Sequence, residues 1–338
     1  MDVHVDGVAQ VVSTGHLPGG DEVSSLVDDA HTRYRQDASG SVADFIPVLA
    51  QADPTLFGVC VADVDGELHA SGDTDVEFSI QSISKAFVYA LVCEEFGHAV
   101  VGERIGVNNT GLPFNSVVAI ELNDGHPMNP MVNAGAIATT ALMPGATPAE
   151  QWNSIHEGLS RFAGRSLTVD DVVYQSESHT NQRNQAIARL LESYGRIDLD
   201  PLAVVDLYTK QCALRVNVTD LAVMGATLAD GGVNPRTGEQ VVSAQVCRDT
   251  LAILAANGLY ERSGEWLFEI GLPGKSGVSG GIVSVAPGKA GIGVFSPPLD
   301  FAGNSVRGQH ATAYLSRVLG LNIFASDVHA PAVKGHRI

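Results

Sequence analysis

The sequence predicts an α/β fold: an antiparallel sheet flanked by helices, with an all-helical lobe inserted between the two parts of the sheet. Three observations carry this reading. Strand signals occur in two regions near opposite ends of the 338-residue chain, and the stretch between them is almost wholly of helical period. Neither strand region can stand by itself, because a lone hairpin is marginal and leaves an edge and an apolar face uncovered. Joining the two regions in one sheet is the economical solution, and it leaves a cleft where lobe and sheet meet, a common place for a small-molecule site.

Two helices, near 22–35 and 41–50, precede the first strand region, "LFGVCVADVDGELHASGD", whose two apolar runs flank the hairpin dipeptide Asp65-Gly66. A helix begins near Ser82 in "FSIQSISKAF". "TPAEQWNSIHEGLSRFAG" opens with Thr147 as cap, Pro148 at the first helical position and Glu150 at the capping-box position. "TNQRNQAIARLLESYG" and "DPLAVVDLYTKQCAL" share the same apolar period. "TDLAVMGATLADGG" and "SAQVCRDTLAILAANG" run into glycine after their last turns, a usual helix stop. The second strand region, "SGVSGGIVSVAPGKAGIGVFSPPLD", turns at "APGKAG". A helix over roughly 304–320 follows, with Ala311, Tyr314, Leu315, Val318 and Leu319 at helical spacing. There is no internal repeat and no long linker. The chain reads as a single domain, with a sheet body over about 22–81 and 266–325 and a helical lobe over about 82–265.

A formal net charge of −18 argues against a nucleic-acid partner, since phosphate binding requires a basic face. No apolar run reaches the ~18–20 residues of a membrane span. "MDVHVDG" has neither the basic nor the apolar region of a secretory signal. Cys60, Cys93, Cys212 and Cys247 are widely spaced and form no C-x-x-C pair, as expected of buried thiols in a reducing compartment. These features together predict a cytoplasmic protein.

The chemistry starts with lysine, of which the chain has only Lys85, Lys210, Lys275, Lys289 and Lys334. Lys85 sits among apolar residues three places after Ser82, so a helix starting there puts the two on one face. Burial disfavours an ammonium, and a neutral lysine can act as base for a serine hydroxyl. By itself S-x-x-K is a common pattern, in which a serine caps a helix and a lysine snorkels to solvent. The later "GKSGVSGG" sharpens the reading. Serine acyl-transfer enzymes of the penicillin-recognising type pair S-x-x-K with a strand bearing K-T/S-G, whose backbone can donate to an oxyanion. Their third motif, S-D-N, is absent, which points to a different branch.

Five segments, "FSIQSISKAF", "HPMNPMVNAGAI", "SESHTNQRNQAIA", "ANGLY" and "GKSGVSGGI", resemble those of the serine-dependent glutaminase family, and the likeness runs from about residue 40 to 320. The resemblance implies the serine β-lactamase/penicillin-binding fold. It also implies that Ser82 attacks the side-chain carboxamide of L-glutamine with Lys85 as base, and that the backbone N–H groups of Ser82 and Val278 form the oxyanion hole. Tyr260 would pass a proton to departing ammonia, and a glutamyl ester on Ser82 would be hydrolysed to glutamate. Asn133, Glu177, Asn184 and Tyr208 would join Ser82, Tyr260 and Val278 in holding the substrate. Relatives imply a homo-oligomer, dimer or tetramer. No cofactor or metal is expected: there is no H-E-x-x-H, no recognisable histidine ligand spacing, and no phosphate-loop or dinucleotide pattern in the required context.

The recognition set suits a free amino acid, because a carboxylate meets the ammonium while neutral donors hold the carboxylate. On residue type alone, each member also has an ordinary structural role. Asn133 fits a cap of "NAGAIATTAL", Glu177 a solvated surface charge, Asn184 a polar helix face, and Tyr208 and Tyr260 core aromatics with a wet hydroxyl. Lys275 reads as structural, or as a charge at the cleft mouth. One departure stands out: the family usually reads Y-I-P where this chain has "FIP", so Phe45 lacks a hydroxyl, and Tyr34 is the candidate to replace it. Two alternatives to a glutaminase follow: a penicillin-type serine esterase or peptidase, and a catalytically weak or inactive glutamine-binding protein.

Overall fold

The computed structural model describes residues 15–44 and 46–327, together with positions 4, 7–9 and 11. In chain order the elements are α1 (Gly20–Tyr34), β1 (Gly58–Asp63), β2 (Leu68–Gly72), β3 (Phe78–Ser79), α2 (Ser84–Gly102), α3 (Val118–Glu121), α4 (Asn133–Ala141) and α5 (Pro148–Ala163). There follow β4 (Thr168–Val169), α6 (Asp171–Ser178), α7 (Gln182–Ser193), α8 (Pro201–Cys212), β5 (Leu214–Val216), α9 (Val218–Ala229) and α10 (Ala244–Asn257). The chain closes with α11 (Ser263–Glu269), β6 (Gly274–Ser276), β7 (Gly281–Ala286), β8 (Ala290–Phe295) and α12 (Val306–Val318).

The two strand regions do join. A five-stranded antiparallel sheet runs β2-β1-β8-β7-β6, and β1 lies against β8 from Gly58↔Phe295 to Asp63↔Ala290. Alternation then decides which side chains face which layer. Val59, Val61, Ile292 and Val294 point into a core shared with α1 and α12, whereas Cys60, Ala62, Val283 and Val285 point into a second core with the middle of the chain. That second face is covered by α9, which lies so close that only glycine fits on the strand beneath it. A Cβ on Gly291 would stand 2.1 Å from the Ala222 carbonyl oxygen, and one on Gly293 2.2 Å from that of Val218. Gly291→Ala should therefore push α9 off the sheet and destabilise the fold by about 1–3 kcal/mol or more, read as a lowered thermal midpoint.

Helix signals translate directly where capping chemistry is present. Thr147 and Glu150 form the reciprocal capping box of α5, whose C-terminus closes on Gly164 in the left-handed conformation. The helix expected over 41–50 does not form; only a 3-10 turn at Leu49–Gln51 is present. Pro47 removes a backbone donor and drives Ile46 away from helical geometry, and that breaks the turn a helix would need. A second small sheet, β3-β5-β4, escapes sequence reading because its strands are two or three residues long. It matters for the site, since β3 leads straight into the turn that carries Ser82.

Candidate active site

Ser82 occupies a 3-10 turn, Gln81–Ile83, and Lys85 lies in the first turn of α2. Gln81 is held at φ +51, a left-handed conformation that costs a non-glycine residue energy. It is fixed there from both sides. The Ser84 hydroxyl donates to the Gln81 carbonyl at 2.8 Å, and the strand carrying the late K-S-G presses on the turn, so that a Cβ on Gly277 would meet the Ile80 carbonyl oxygen at 2.9 Å. The segment after β6 then curls on itself: Gly277 N–H donates to Gly281 O and Gly280 N–H to Gly277 O. Val278 is thereby brought to the pocket that Ser82 lines.

That pocket, about 290 Å³, gathers six of the eight residues singled out from the sequence: Ser82, Asn133, Glu177, Asn184, Tyr208 and Val278. The other two stand directly behind its wall. Lys85, 1% exposed, donates from Nζ to Asn133 Oδ1 at 2.8 Å and to the Met131 carbonyl at 3.2 Å. Asn133 in turn donates from Nδ2 to Asn184 Oδ1 at 2.9 Å. Asn133 is thus no helix cap: Val132 holds the N-cap position of α4 without a side-chain bond. Tyr260, also at positive φ, donates its hydroxyl to the Ser276 carbonyl at 3.3 Å and interacts with Ser82.

Burial sets the protonation states. It pushes the Lys85 amine down to about 8, with Cys212 and Glu177 acting in the opposite sense. It lifts the Glu177 carboxyl to about 7, opposed by the Gln81 amide and by Lys85. The Tyr260 hydroxyl rises to about 12 through burial, against its hydrogen bonds to Ser82 and Ser276, and so keeps its proton. A neutral lysine has two N–H bonds and one lone pair. With both N–H bonds spent on Met131 and Asn133, the lone pair is left for a further donor.

Of the two readings of Lys275, the structural one fits its burial, and a charge at the cleft mouth does not. It is fully buried, its Nζ donates to the Ser276 carbonyl at 2.8 Å, and it lies 4.1 Å from the Tyr260 ring centroid. Burial and the nearby Lys85 hold its amine well below the ordinary lysine range. Tyr34 is not at the pocket. Its ring packs against Tyr314 and His310 in the core beneath α12, and its hydroxyl donates to the His4 carbonyl, so it supplies no substitute hydroxyl. Phe45 falls outside the described residues. The sequence reading missed Gln81, Asn115, Asn181 and Arg183, all on the pocket wall. Two of these lie inside the quoted "SESHTNQRNQAIA", and the Arg183 Nε bond to the Asn115 carbonyl, 2.8 Å, spans 68 residues that no local pattern connects.

Comparison with known proteins identifies the family. The family model described as Glutaminase matches residues 40–324. Glutaminase 2 of Yersinia pestis is 54% identical over 322 residues, covering 95% of each chain. The glutaminase of Mycobacterium ulcerans is 47% identical over 302 residues, 89% of this chain and 94% of the relative. Among solved structures, probable glutaminase ybaS superposes with a TM-score of 0.90 at 45% identity, over 91% of this chain and all of that one. A probable glutaminase from Bacillus subtilis complexed with 6-diazo-5-oxo-L-norleucine gives 0.81 at 30% identity, over 89% and 96% of the two chains. With a serine β-lactamase-like fold shared with these structures and sequence identity running nearly end to end, the chain belongs to the glutaminase family, amidohydrolases acting on L-glutamine.

Proposed function

We propose that this glutaminase works through a glutamyl ester on Ser82, with the neutral Lys85 amine as general base. The observation that carries the reading is the buried Lys85, whose two N–H bonds are committed to Met131 and Asn133 one helical turn from Ser82. Ser82 Oγ loses its proton to Lys85 and attacks the carboxamide carbon. The oxyanion is met by the backbone N–H groups of Ser82 and Val278. Tyr260 passes a proton to the leaving nitrogen, the C–N bond breaks and ammonia departs, and the proton taken by Lys85 returns to Tyr260, leaving the amine neutral again. Water, deprotonated by the same base, then attacks the ester and releases glutamate as Ser82 recovers its proton.

Recognition follows from the pocket's charges. Glu177, 8% exposed and accepting a bond from neutral Gln81 at 3.4 Å, is the acceptor for the substrate ammonium. Asn184, whose Oδ1 is occupied by Asn133, has its Nδ2 to offer the substrate carboxylate, alongside Asn133 and Tyr208. The assignment is tested by treating the protein with 6-diazo-5-oxo-L-norleucine and locating the adduct by peptide mass. Label on Ser82 supports the assignment, and label elsewhere overturns it.

The same charges dictate a pH profile. The base must be neutral and Glu177 ionised, so kcat/KM rises with pH, with slope one between about 7 and 8 and slope two below about 7, the two apparent values belonging to the coupled pair. Glu177→Gln removes the lower break. It also removes a charge that raises the Lys85 pKa, so the remaining limb moves to lower pH. Losing a charge-assisted bond to the ammonium should raise KM by about 10- to 100-fold. A profile that stays unchanged in Glu177→Gln would contradict the assignment.

The broader setting is part of the proposal: one catalytic domain, cytoplasmic and homo-oligomeric, with no nucleic-acid or membrane partner. In its support, the four cysteines are buried free thiols, the chain is strongly acidic, and no helix among the described residues is long and apolar enough to cross a membrane. Dimers or tetramers rest on the resemblance alone.

A further inference from the structure

Behind the substrate pocket lies a second, smaller cavity, about 100 Å³, and the two share a partition. Phe114 lines both. Its ring packs at 4.8 Å on that of Tyr260, which faces the smaller cavity and meets Ser82 with its hydroxyl. Met131, whose carbonyl receives a bond from Lys85, completes the wall. Tyr260, the proposed proton donor to the leaving group, is thus part of the wall of this second space. Its outer end reaches Asn109 and Glu261, both exposed.

The lining suits small hydrogen-bonding molecules. Thr110, Asn129 and Asn257 contribute polar side chains. Asn257 is 5% exposed, and its amide orientation is fixed by Nδ2 donating to the Val107 and Ile253 carbonyls, at 3.1 and 3.3 Å. Its Oδ1 is buried and has no hydrogen-bond partner among the described residues. The volume is enough for an ammonia molecule and a few waters.

We propose that this side chamber is the passage for ammonia leaving Ser82 and for water reaching the ester. The inference rests on the glutamyl-ester reading above. Once Ser82 carries the glutamyl group, the substrate pocket is filled by it. Ammonia, freed on the Tyr260 side when the C–N bond breaks, needs another way out before water can add to the ester carbon and displace the serine oxygen. Departure by the front would require the glutamyl chain to move aside; departure through the chamber requires only that the Phe114–Tyr260 partition give way.

The test narrows the chamber without substituting a catalytic group. Leu112 lines it and is half-buried, so Leu112→Trp narrows it. Labelling of Ser82 by the diazoketone, which needs only the front pocket, should stay within about twofold, while glutamine turnover falls by about tenfold as release and deacylation become limiting. Added hydroxylamine, a small amine that intercepts the ester, should yield less glutamyl hydroxamate relative to glutamate than in the parent enzyme. Unchanged turnover and unchanged partition in a variant that labels normally would overturn the chamber. If Leu112→Trp does not label, Glu261→Trp at the exposed mouth gives the same readout, and normal behaviour there counts equally against the proposal. Absence of Ser82 labelling in the parent enzyme would refute the glutamyl ester itself, a separate result.

Discussion

Ser82→Ala should lose glutamine hydrolysis by about four orders of magnitude or more, since removing a nucleophile leaves only what binding and oxyanion donors supply. Ser82 is 9% exposed and its hydroxyl has no part in a helix cap or in the Gln81 turn contacts, so thermal stability should change little. The two readouts separate chemistry from folding. Ammonia release and thermal melting measured on one preparation decide the matter, and a variant that melts like the parent while turning over at a comparable rate would end the seryl mechanism.

Lys85→Ala should cost about 10²- to 10⁴-fold, the usual worth of a positioned general base. Here the structural confound is real, because Asn133 Oδ1 and the Met131 carbonyl lose their donor, and Asn184 is tied to Asn133. Chemical rescue separates the two effects. The truncation leaves room for a small primary amine, so methylamine should restore part of the turnover, with a pH dependence that follows the added amine and no longer breaks near 8. A purely structural lysine would give no rescue and an unchanged pH profile.

What could be read from the residues, and what could not, divides along physical lines. Asp65-Gly66 marks its hairpin and Thr147 with Glu150 marks the start of α5, because turn and cap chemistry acts within four residues. Ser82 and Lys85 stand out as a pair because helical geometry places i and i+3 together wherever the helix lies. The segment 41–50 has the look of a helix, yet the local rule for Ile46-Pro47 is the better guide to it. Gln81 at positive φ, Lys275 against Tyr260 and Arg183 on Asn115 depend on contacts between distant segments, and no spacing in the chain records them. The second cavity belongs to the same class: its walls come from the segment 109–132 and from the end of α10 and the turn after it.

Pairing of Asp63 with Ala290 has a consequence for biosynthesis. On the ribosome, β1 emerges with its outer edge bare and waits for a partner more than two hundred residues away. At cellular elongation rates of roughly 5–20 residues per second, that interval lasts on the order of ten to fifty seconds. Throughout it the nascent chain presents an unsatisfied strand with valines on one side, the kind of surface that holdase chaperones capture and that neighbouring nascent chains can zip onto. Yield in the cell is therefore set by how well that waiting edge is shielded during translation, and slowing synthesis before β8 is completed lengthens the exposure.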